Sequence, residues 1–136
     1  MFRALVVEDN AVVQFLLTRQ LSGIAECDVA GDGFQALAFF RCALEDRKPY
    51  RAVLVDFQMP GITGLETVRR IREVETGLPP EHDPAWIVML TSFDDMKPVV
   101  LNDPLGRVDA FLQKPHTVQE LVTALGRVAV RADPKG

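Results

Sequence analysis

Several polar residues stand directly after short apolar runs, at positions where a buried strand would end. The clearest is Asp56, which follows the run AVLV and precedes a turn marked by Pro60 and Gly61. Burying an ionised carboxylate without a partner is costly, so Asp56 must be neutralised, be paired, or lie where the strand leaves the core. The other polar residues in such positions are Glu8, Asp9, Thr91, Ser92 and Lys114.

If the fold gathers these side chains, their types suit a particular chemistry. Closely packed carboxylates repel one another unless a cation joins them. Hard oxygen ligands with room for water favour Mg²⁺ over zinc. Thr91 adds a hydroxyl and Lys114 adds a positive charge. The residue types therefore predict a site for a metal ion and a phosphoryl group.

The elements that must position these residues alternate along the chain. Strands are predicted over 3–7, 26–30, 52–55, 86–90 and 110–112, and helical spacing of apolar residues follows them. Apolar strands that alternate with amphipathic helices predict a doubly wound α/β fold, with a parallel sheet covered on both faces. In such sheets, ligands bind outside the carboxyl ends of the strands. We therefore expect the polar residues to converge at that edge.

The helices are predicted from their apolar faces and from start and stop signals. Thr117 and Glu120 form a capping box at the start of the last helix, and Gly23 is a stop for the first. A proline-rich stretch over 76–85 predicts a surface loop. The predicted faces comprise Val13, Leu16, Leu17 and Leu21; Phe34, Leu37, Ala38 and Leu44; Leu65, Val68 and Ile71; and Val118, Leu121, Val122, Leu125, Val128 and Ala129.

Composition limits the classes of protein to consider. The length of 136 residues predicts one domain, 1–136, with a core over about 3–130. A net charge of -4 without a basic stripe argues against direct nucleic-acid binding. The apolar runs are far shorter than the roughly 18 residues of a membrane span, so we expect no membrane insertion and a cytoplasmic location. Cys27 and Cys42 lack metal-site spacing and are predicted to be buried, reduced thiols.

The motifs VVEDN, VDFQMPGITGLE, LTS and FLQKP, in this order, resemble the receiver domain of two-component response regulators. The resemblance extends from Arg3 to about Val130. It implies a flavodoxin-like (βα)₅ fold with strand order 2-1-3-4-5. It also implies a phosphoacceptor switch, whose partner is a histidine kinase or a histidine phosphotransfer protein.

The resemblance assigns the chemistry of the site residue by residue. Asp56 matches the phosphoacceptor, which receives a phosphoryl group from a phosphohistidine in the presence of Mg²⁺. Glu8 and Asp9 match the acidic metal-binding pair. The main-chain carbonyl of Gln58 would be a further ligand of the metal.

The resemblance also assigns the groups that respond to phosphorylation. Thr91 matches the hydroxyl that contacts the phosphoryl group, and Lys114 matches the lysine that pairs with it. Phe111 matches the aromatic switch residue. Because Phe111 has no hydroxyl, it can switch by burial but not by a tyrosine-type hydrogen bond.

Two other functional classes compete with the phosphoacceptor switch. A degenerate receiver, acting only as an interaction module, would lack an acid, the hydroxyl or the lysine, and none is missing. An enzyme on a similar sheet is the other class. A phosphatase of the haloacid dehalogenase type would carry an acid where Gln58 stands, and a flavin protein would carry a glycine-rich loop after the first strand. We therefore expect a signalling switch and not an enzyme.

Two expectations concern the region before the fifth strand. Phe93 stands two residues beyond the hydroxyl residue, where the resemblance implies that a side chain flanks the path of the attacking water. Its bulky ring is therefore predicted to hinder that water and slow self-dephosphorylation. Pro98 and Pro104 forbid a long regular helix. The fourth helix is therefore predicted to be short or irregular, with a turn or two over about 98–102 and irregular chain up to Ala110.

Overall fold

A computed structural model describes residues 1–92 and 103–128 of the chain. Within these residues, five parallel strands form one sheet in the order β2-β1-β3-β4-β5. The strands are β1 (Phe2–Val7), β2 (Ala25–Ala30), β3 (Ala52–Asp56), β4 (Trp86–Thr91) and β5 (Ala110–Gln113). The helices are α1 (Ala11–Gln20), α2 (Gly33–Glu45), α3 (Gly64–Thr76) and α4 (Val118–Leu125).

The sheet confirms the predicted doubly wound α/β fold and strand order 2-1-3-4-5. Every predicted strand lies within one residue of the observed strand at each end. The chain over 103–109 is irregular, as expected before β5. Phe93 and the short fourth helix predicted over about 98–102 lie outside the described residues.

The central strand β3 is buried along its whole length because helices cover both faces of the sheet. Val53 and Val55 face the side covered by α2 and α3, where Phe40 and Ile71 are buried with them. The alternate residues face α1 and α4 on the other side, in a cluster that includes Ala52, Leu54, Leu17, Leu21, Leu121 and Leu125. This central position makes β3 a rigid support for Asp56 at its end.

The predicted start of the last helix is confirmed. The Thr117 side chain accepts a hydrogen bond from the Glu120 N–H, and the Glu120 carboxylate accepts one from the Thr117 N–H. The predicted stop at Gly23 and the predicted loop agree with the structure too, since α1 ends before Gly23 and the stretch after Thr76 forms a loop up to Ala85.

Some predicted helix faces are wrong at individual positions. In α2, Phe34 is 56% exposed and Ala38 is exposed, whereas Ala36 and Phe40 are buried. The sequence GFQALAFFRCALE is apolar on several sides, so periodicity alone does not select the face that meets the sheet. Leu16 of α1 and Val118 of α4 are also exposed, at 43% and 48%.

The prediction of buried cysteines is also wrong for one residue. Cys42 is exposed on α2, two residues beyond the buried Phe40, and Cys27 is half-buried on the edge strand β2. Neither thiol is in a disulfide bond in the described part of the chain. Burial raises the pKa of the Cys27 thiol to about 11, with a smaller contribution from the charge of Asp28.

Candidate functional site

Three carboxylates meet at the carboxyl edge of the sheet. Glu8 and Asp9 follow β1, and Asp56 ends the neighbouring strand β3. One carboxylate oxygen from each of the three lies within 4.8 Å of the others. Glu8 is only 1% exposed and Asp56 only 7%, whereas Asp9 is exposed. We call these three residues the acid cluster.

Lys114, which directly follows β5, bridges two members of the acid cluster. Its Nζ donates hydrogen bonds to Glu8 Oε1 at 2.9 Å and to Asp56 Oδ1 at 3.2 Å. The backbone N–H of Lys114 donates to the Thr91 carbonyl at 2.8 Å, which holds this end of β5 against β4. The peptide bond from Lys114 to Pro115 is cis. Through its two side-chain hydrogen bonds, Lys114 connects the end of β5 to the ends of β1 and β3, on the other side of β4.

Burial, hydrogen bonds and neighbouring charges shift the pKa values of Glu8 and Lys114. Burial raises the pKa of Glu8, and the negative charge of Asp56 acts in the same direction. The hydrogen bonds that Glu8 accepts from Lys114 and from the Asn10 N–H only partly oppose this rise. Burial acts to lower the pKa of Lys114, but its contacts with Glu8 and Asp56 outweigh burial and leave that pKa raised. Lys114 is therefore a cation in this site, facing more negative charge than it can balance.

The turn from β1 into α1 positions the first two acids. The Glu8 N–H donates to the Ala30 carbonyl at 3.0 Å, so Glu8 still belongs to the edge of the sheet. The Asn10 side chain accepts from the N–H groups of Val12 and Val13 and caps α1. The Asn10 N–H donates to Glu8 Oε2 at 3.2 Å. The chain therefore turns immediately after Glu8, and Asp9 lies on the outer side of that turn.

The turn from β3 into α3 positions the third acid, and it depends on a glycine. The Gly64 N–H donates to the Phe57 carbonyl at 3.1 Å. A Cβ at Gly64 would lie 2.1 Å from the carbonyl oxygen of Asp56, which no side chain can tolerate. The start of α3 therefore packs directly against the backbone of Asp56. Thr63 caps this helix by accepting from the Glu66 N–H at 3.1 Å.

The remaining predicted site residues lie around the same edge. Thr91 is buried at the end of β4, one residue beyond the pairing partner of Asp56. Phe111 is half-buried on β5 and packs against the core under α2 and α3. Ser92 and Gln58 are exposed, and the role of the Gln58 carbonyl stays a prediction.

The sequence patterns did not identify the residues that support the backbone and side chains of the acid cluster. Asn10, Gln14 and Gly64 contact the backbone or side chains of the acids, but none has a side chain that suggested chemistry. The signals were present, because an asparagine before a helix is a common cap and a glycine shortly after a strand-ending acid permits close backbone approach.

The acid cluster suits a divalent cation by its donor set. Three carboxylates with one lysine leave an excess of negative charge in a largely buried place, and oxygen donors are the ligands that Mg²⁺ prefers. The open side at Asp9 leaves room for the waters that Mg²⁺ usually keeps. Among the described residues, no other group of three such side chains is placed to hold a metal.

Comparison with known proteins identifies the family. The model of the response regulator receiver domain matches residues 4–126, and the chain belongs to this family. It is 32% identical over 133 residues to the response regulator MprA of Mycobacterium sp. (strain KMS), covering 97% of this chain and 52% of MprA. The chain thus spans about half the length of MprA, and it spans 5% to 8% of the histidine kinases that it also matches.

Solved structures give the same assignment. The chemotaxis protein CheY4 of Vibrio cholerae superposes with a TM-score of 0.75 at 27% identity, covering 94% of this chain and 98% of CheY4. The receiver domain of the sensor histidine kinase PA1611 from Pseudomonas aeruginosa PAO1 superposes with a TM-score of 0.71 at 26% identity, covering 95% and 98% of the two chains. The PA1611 structure is described with a magnesium ion coordinated in its active site cleft.

The receiver family makes this chain a signalling domain of two-component systems. None of the helices in the described part of the chain has the length and apolar character needed to cross a membrane.

Proposed function

We propose that Asp56 accepts a phosphoryl group from the phosphohistidine of a histidine kinase or a histidine phosphotransfer protein. The proposal rests on one observation: three carboxylates from two strand ends meet a lysine from a third. In the proposal, Glu8, Asp9 and Asp56 hold Mg²⁺ with the main-chain carbonyl of Gln58. When bound, Mg²⁺ supplies positive charge to the phosphoryl oxygens.

The proposed reaction is a direct transfer between two side chains. A carboxylate oxygen of Asp56 forms the new bond to phosphorus, the bond between phosphorus and the donor's imidazole nitrogen breaks, and the imidazole leaves with that electron pair. Phosphoryl transfer depends mainly on positioning and charge stabilisation. The buried strand β3 aims Asp56, and the close contact at Gly64 keeps its backbone from moving.

Lys114 and Thr91 would respond to the new phosphoryl group. Lys114 now shares its hydrogen bonds between Glu8 and Asp56, and a phosphoryl group on Asp56 offers it more negative charge at short range. Thr91 would turn its hydroxyl toward the same group. Phe111, which is half-buried beside them on β5, would follow by becoming more buried. These movements would carry the signal to the surface of the domain.

The first helix offers a docking surface for the phosphohistidine donor. Val12, Phe15 and Leu16 are 76%, 64% and 43% exposed, and α1 starts directly after the acid cluster. An exposed apolar helix face of this kind favours packing against helices of a partner. A donor bound there would place its histidine close to Asp56.

Mass spectrometry after treatment with a small phosphodonor and Mg²⁺ tests the phosphoacceptor role. We expect a gain of one phosphoryl group in the wild type and no gain in Asp56→Asn. The matched control is Asp46→Asn, which makes the same chemical change at an exposed aspartate at the end of α2. No gain in the wild type, with either this phosphodonor or a phosphorylated kinase, would favour a receiver that acts only as an interaction module.

A further inference from the structure

The orientation of Asp9 depends on its backbone. Its carboxylate is exposed and has no hydrogen-bond partner among residues 1–92 and 103–128. Consecutive side chains on an extended strand point to opposite sides, yet Glu8 and Asp9 both bring an oxygen within 4.8 Å of Asp56. The backbone must therefore leave the extended conformation between Glu8 and Asp9. Contacts that keep this non-extended backbone in place would keep the Asp9 carboxylate near Asp56.

Gln14 is placed to hold that point. Its side-chain Nε2 donates a hydrogen bond to the main-chain carbonyl of Glu8 at 2.5 Å. A carbonyl oxygen only accepts, so the amide nitrogen of Gln14 must face it. Gln14 is half-buried in the first turns of α1, where side chains lean back toward the start of the helix. Helix α1 starts just after this turn, and its geometry directs the Gln14 side chain back toward the Glu8 carbonyl.

The carbonyl that Gln14 holds belongs to the peptide unit that joins Glu8 to Asp9. With this peptide unit held in place, the direction of the Cα–Cβ bond of Asp9 depends on the single dihedral angle φ of Asp9. The N–H of Glu8 is fixed to Ala30 and the side chain of Asn10 caps α1, so the segment is held on both sides of this peptide. Among the hydrogen bonds of residues 1–92 and 103–128, the one from Gln14 is the bond that contacts this peptide unit.

We infer that Gln14 is a positioning residue for metal binding, which acts by fixing the peptide between Glu8 and Asp9 so that the Asp9 carboxylate faces the acid cluster. The inference rests on the metal site proposed above and deepens it. Residues that orient metal ligands typically change metal affinity by about 10–100-fold when they are replaced. A role of this kind alters metal affinity without requiring a change in the stability of the metal-free fold.

The test measures binding of Mn²⁺, as a paramagnetic stand-in for Mg²⁺, from the loss of the free-ion electron paramagnetic resonance signal. Gln14→Met removes the donor and keeps a straight-chain residue that suits a helix. The matched control is Gln20→Met, at the other end of α1, where the glutamine contacts His116. We expect Gln14→Met to raise the Kd for Mn²⁺ by at least about tenfold and Gln20→Met to leave it unchanged.

The outcomes separate the inference from the metal site on which it rests. If the wild type binds Mn²⁺ and Gln14→Met binds it equally well, the role of Gln14 is wrong and the metal site stands. If the wild type does not bind Mn²⁺, the proposed metal site is wrong, and the positioning role inferred for Gln14 is wrong as well. A weaker Kd in both glutamine variants would reflect a general change in α1 and would also overturn the inference.

A second measurement needs no variant and holds even if Gln14→Met does not fold. A through-hydrogen-bond scalar coupling in the wild type, between the side-chain nitrogen of Gln14 and the carbonyl carbon of Glu8, reports the bond directly. We expect this coupling in the metal-free protein and in the protein saturated with Mg²⁺. Its absence from both would overturn the inference.

Discussion

Two buried groups of charges in this domain differ in their balance. The acid cluster sets three carboxylates against Lys114 at the carboxyl edge of the sheet. On the side of α3, Arg72 pairs with Glu75 at 2.8 Å and with Asp109 at 2.9 Å. Arg72 also donates to the carbonyls of Ala85 and Arg107. We call Arg72, Glu75 and Asp109 the Arg72 network.

The charges of the Arg72 network are balanced within the protein, so a bound ligand is not needed to compensate them. Its side chains are only 9%, 8% and 11% exposed, and Asp109 accepts further hydrogen bonds from the Ile87 N–H and from Arg107. The acid cluster is also largely buried, but its charges are not balanced. Burial of charged groups therefore does not by itself indicate a ligand site in this fold, because the Arg72 network is buried and balanced. The acid cluster differs by an uncompensated excess of negative charge that is open on one side.

We expect the largest loss of unfolding free energy when the Arg72 network is disrupted. Arg72→Met leaves the Glu75 carboxylate without its cation and leaves Asp109 with only the more exposed Arg107. Removal of one partner from a buried ion pair costs about 3–5 kcal/mol of unfolding free energy. Urea unfolding measures the loss. The control is Arg70→Met, because Arg70 pairs with Glu66 on the surface and such pairs contribute about 0.3–0.5 kcal/mol. Equal losses in the two variants would contradict the structural role of the network.

The second effect should appear only at the acid cluster. A cation that binds the folded protein alone stabilises it, by about 2.7 kcal/mol when its concentration is 100 times its Kd. We therefore expect Mg²⁺ to raise the melting temperature of the wild type, and Asp9→Asn to remove most of the rise. Arg70→Met should keep the rise, because Arg70 pairs with Glu66 and not with the acid cluster. A wild-type melting temperature that is indifferent to millimolar Mg²⁺ would contradict an assembled metal site.

The third effect compares the same substitution in the two groups. In EDTA, Asp56→Asn removes a charge from an over-negative cluster and should raise the free energy of unfolding. Asp109→Asn removes a charge that Arg72 and Arg107 need, and should lower it by more than about 1 kcal/mol. Urea unfolding of both variants measures the two signs. The same sign for both variants would remove the distinction between the groups.

The smallest effect is a pH dependence at Glu8. Its pKa in the folded protein is raised, chiefly by burial. A raised carboxyl pKa gives stability that is full below the unfolded pKa and is lost as pH rises through the folded value. In EDTA, Glu8→Gln should therefore stabilise the protein more at about pH 7 than at about pH 5. If the difference in unfolding free energy between Glu8→Gln and the wild type is the same at both pH values, ionisation of Glu8 does not destabilise the folded protein.

Much of this domain could be predicted from the sequence because the signals are local. Strand bounds follow from apolar runs and the start of α4 from its capping box, which involves neighbours three residues apart. Polar residues that end parallel strands must meet at one edge once the strands form a sheet, so the acid cluster could be predicted as well. The face of α2 could not, because an almost wholly apolar helix chooses its buried side by packing against its neighbours.

Local sequence patterns identify the residues that end the strands and therefore the groups that share the carboxyl edge. The pairing of those groups follows from the tertiary structure. Lys114 is 106 residues from Glu8 and 58 from Asp56, and no local pattern indicates that one ammonium group contacts both. The Arg72 network likewise joins α3 to the residue before β5, 37 positions away. Such contacts depend on the three-dimensional positions of whole elements, which the spacing of residues along one element does not encode.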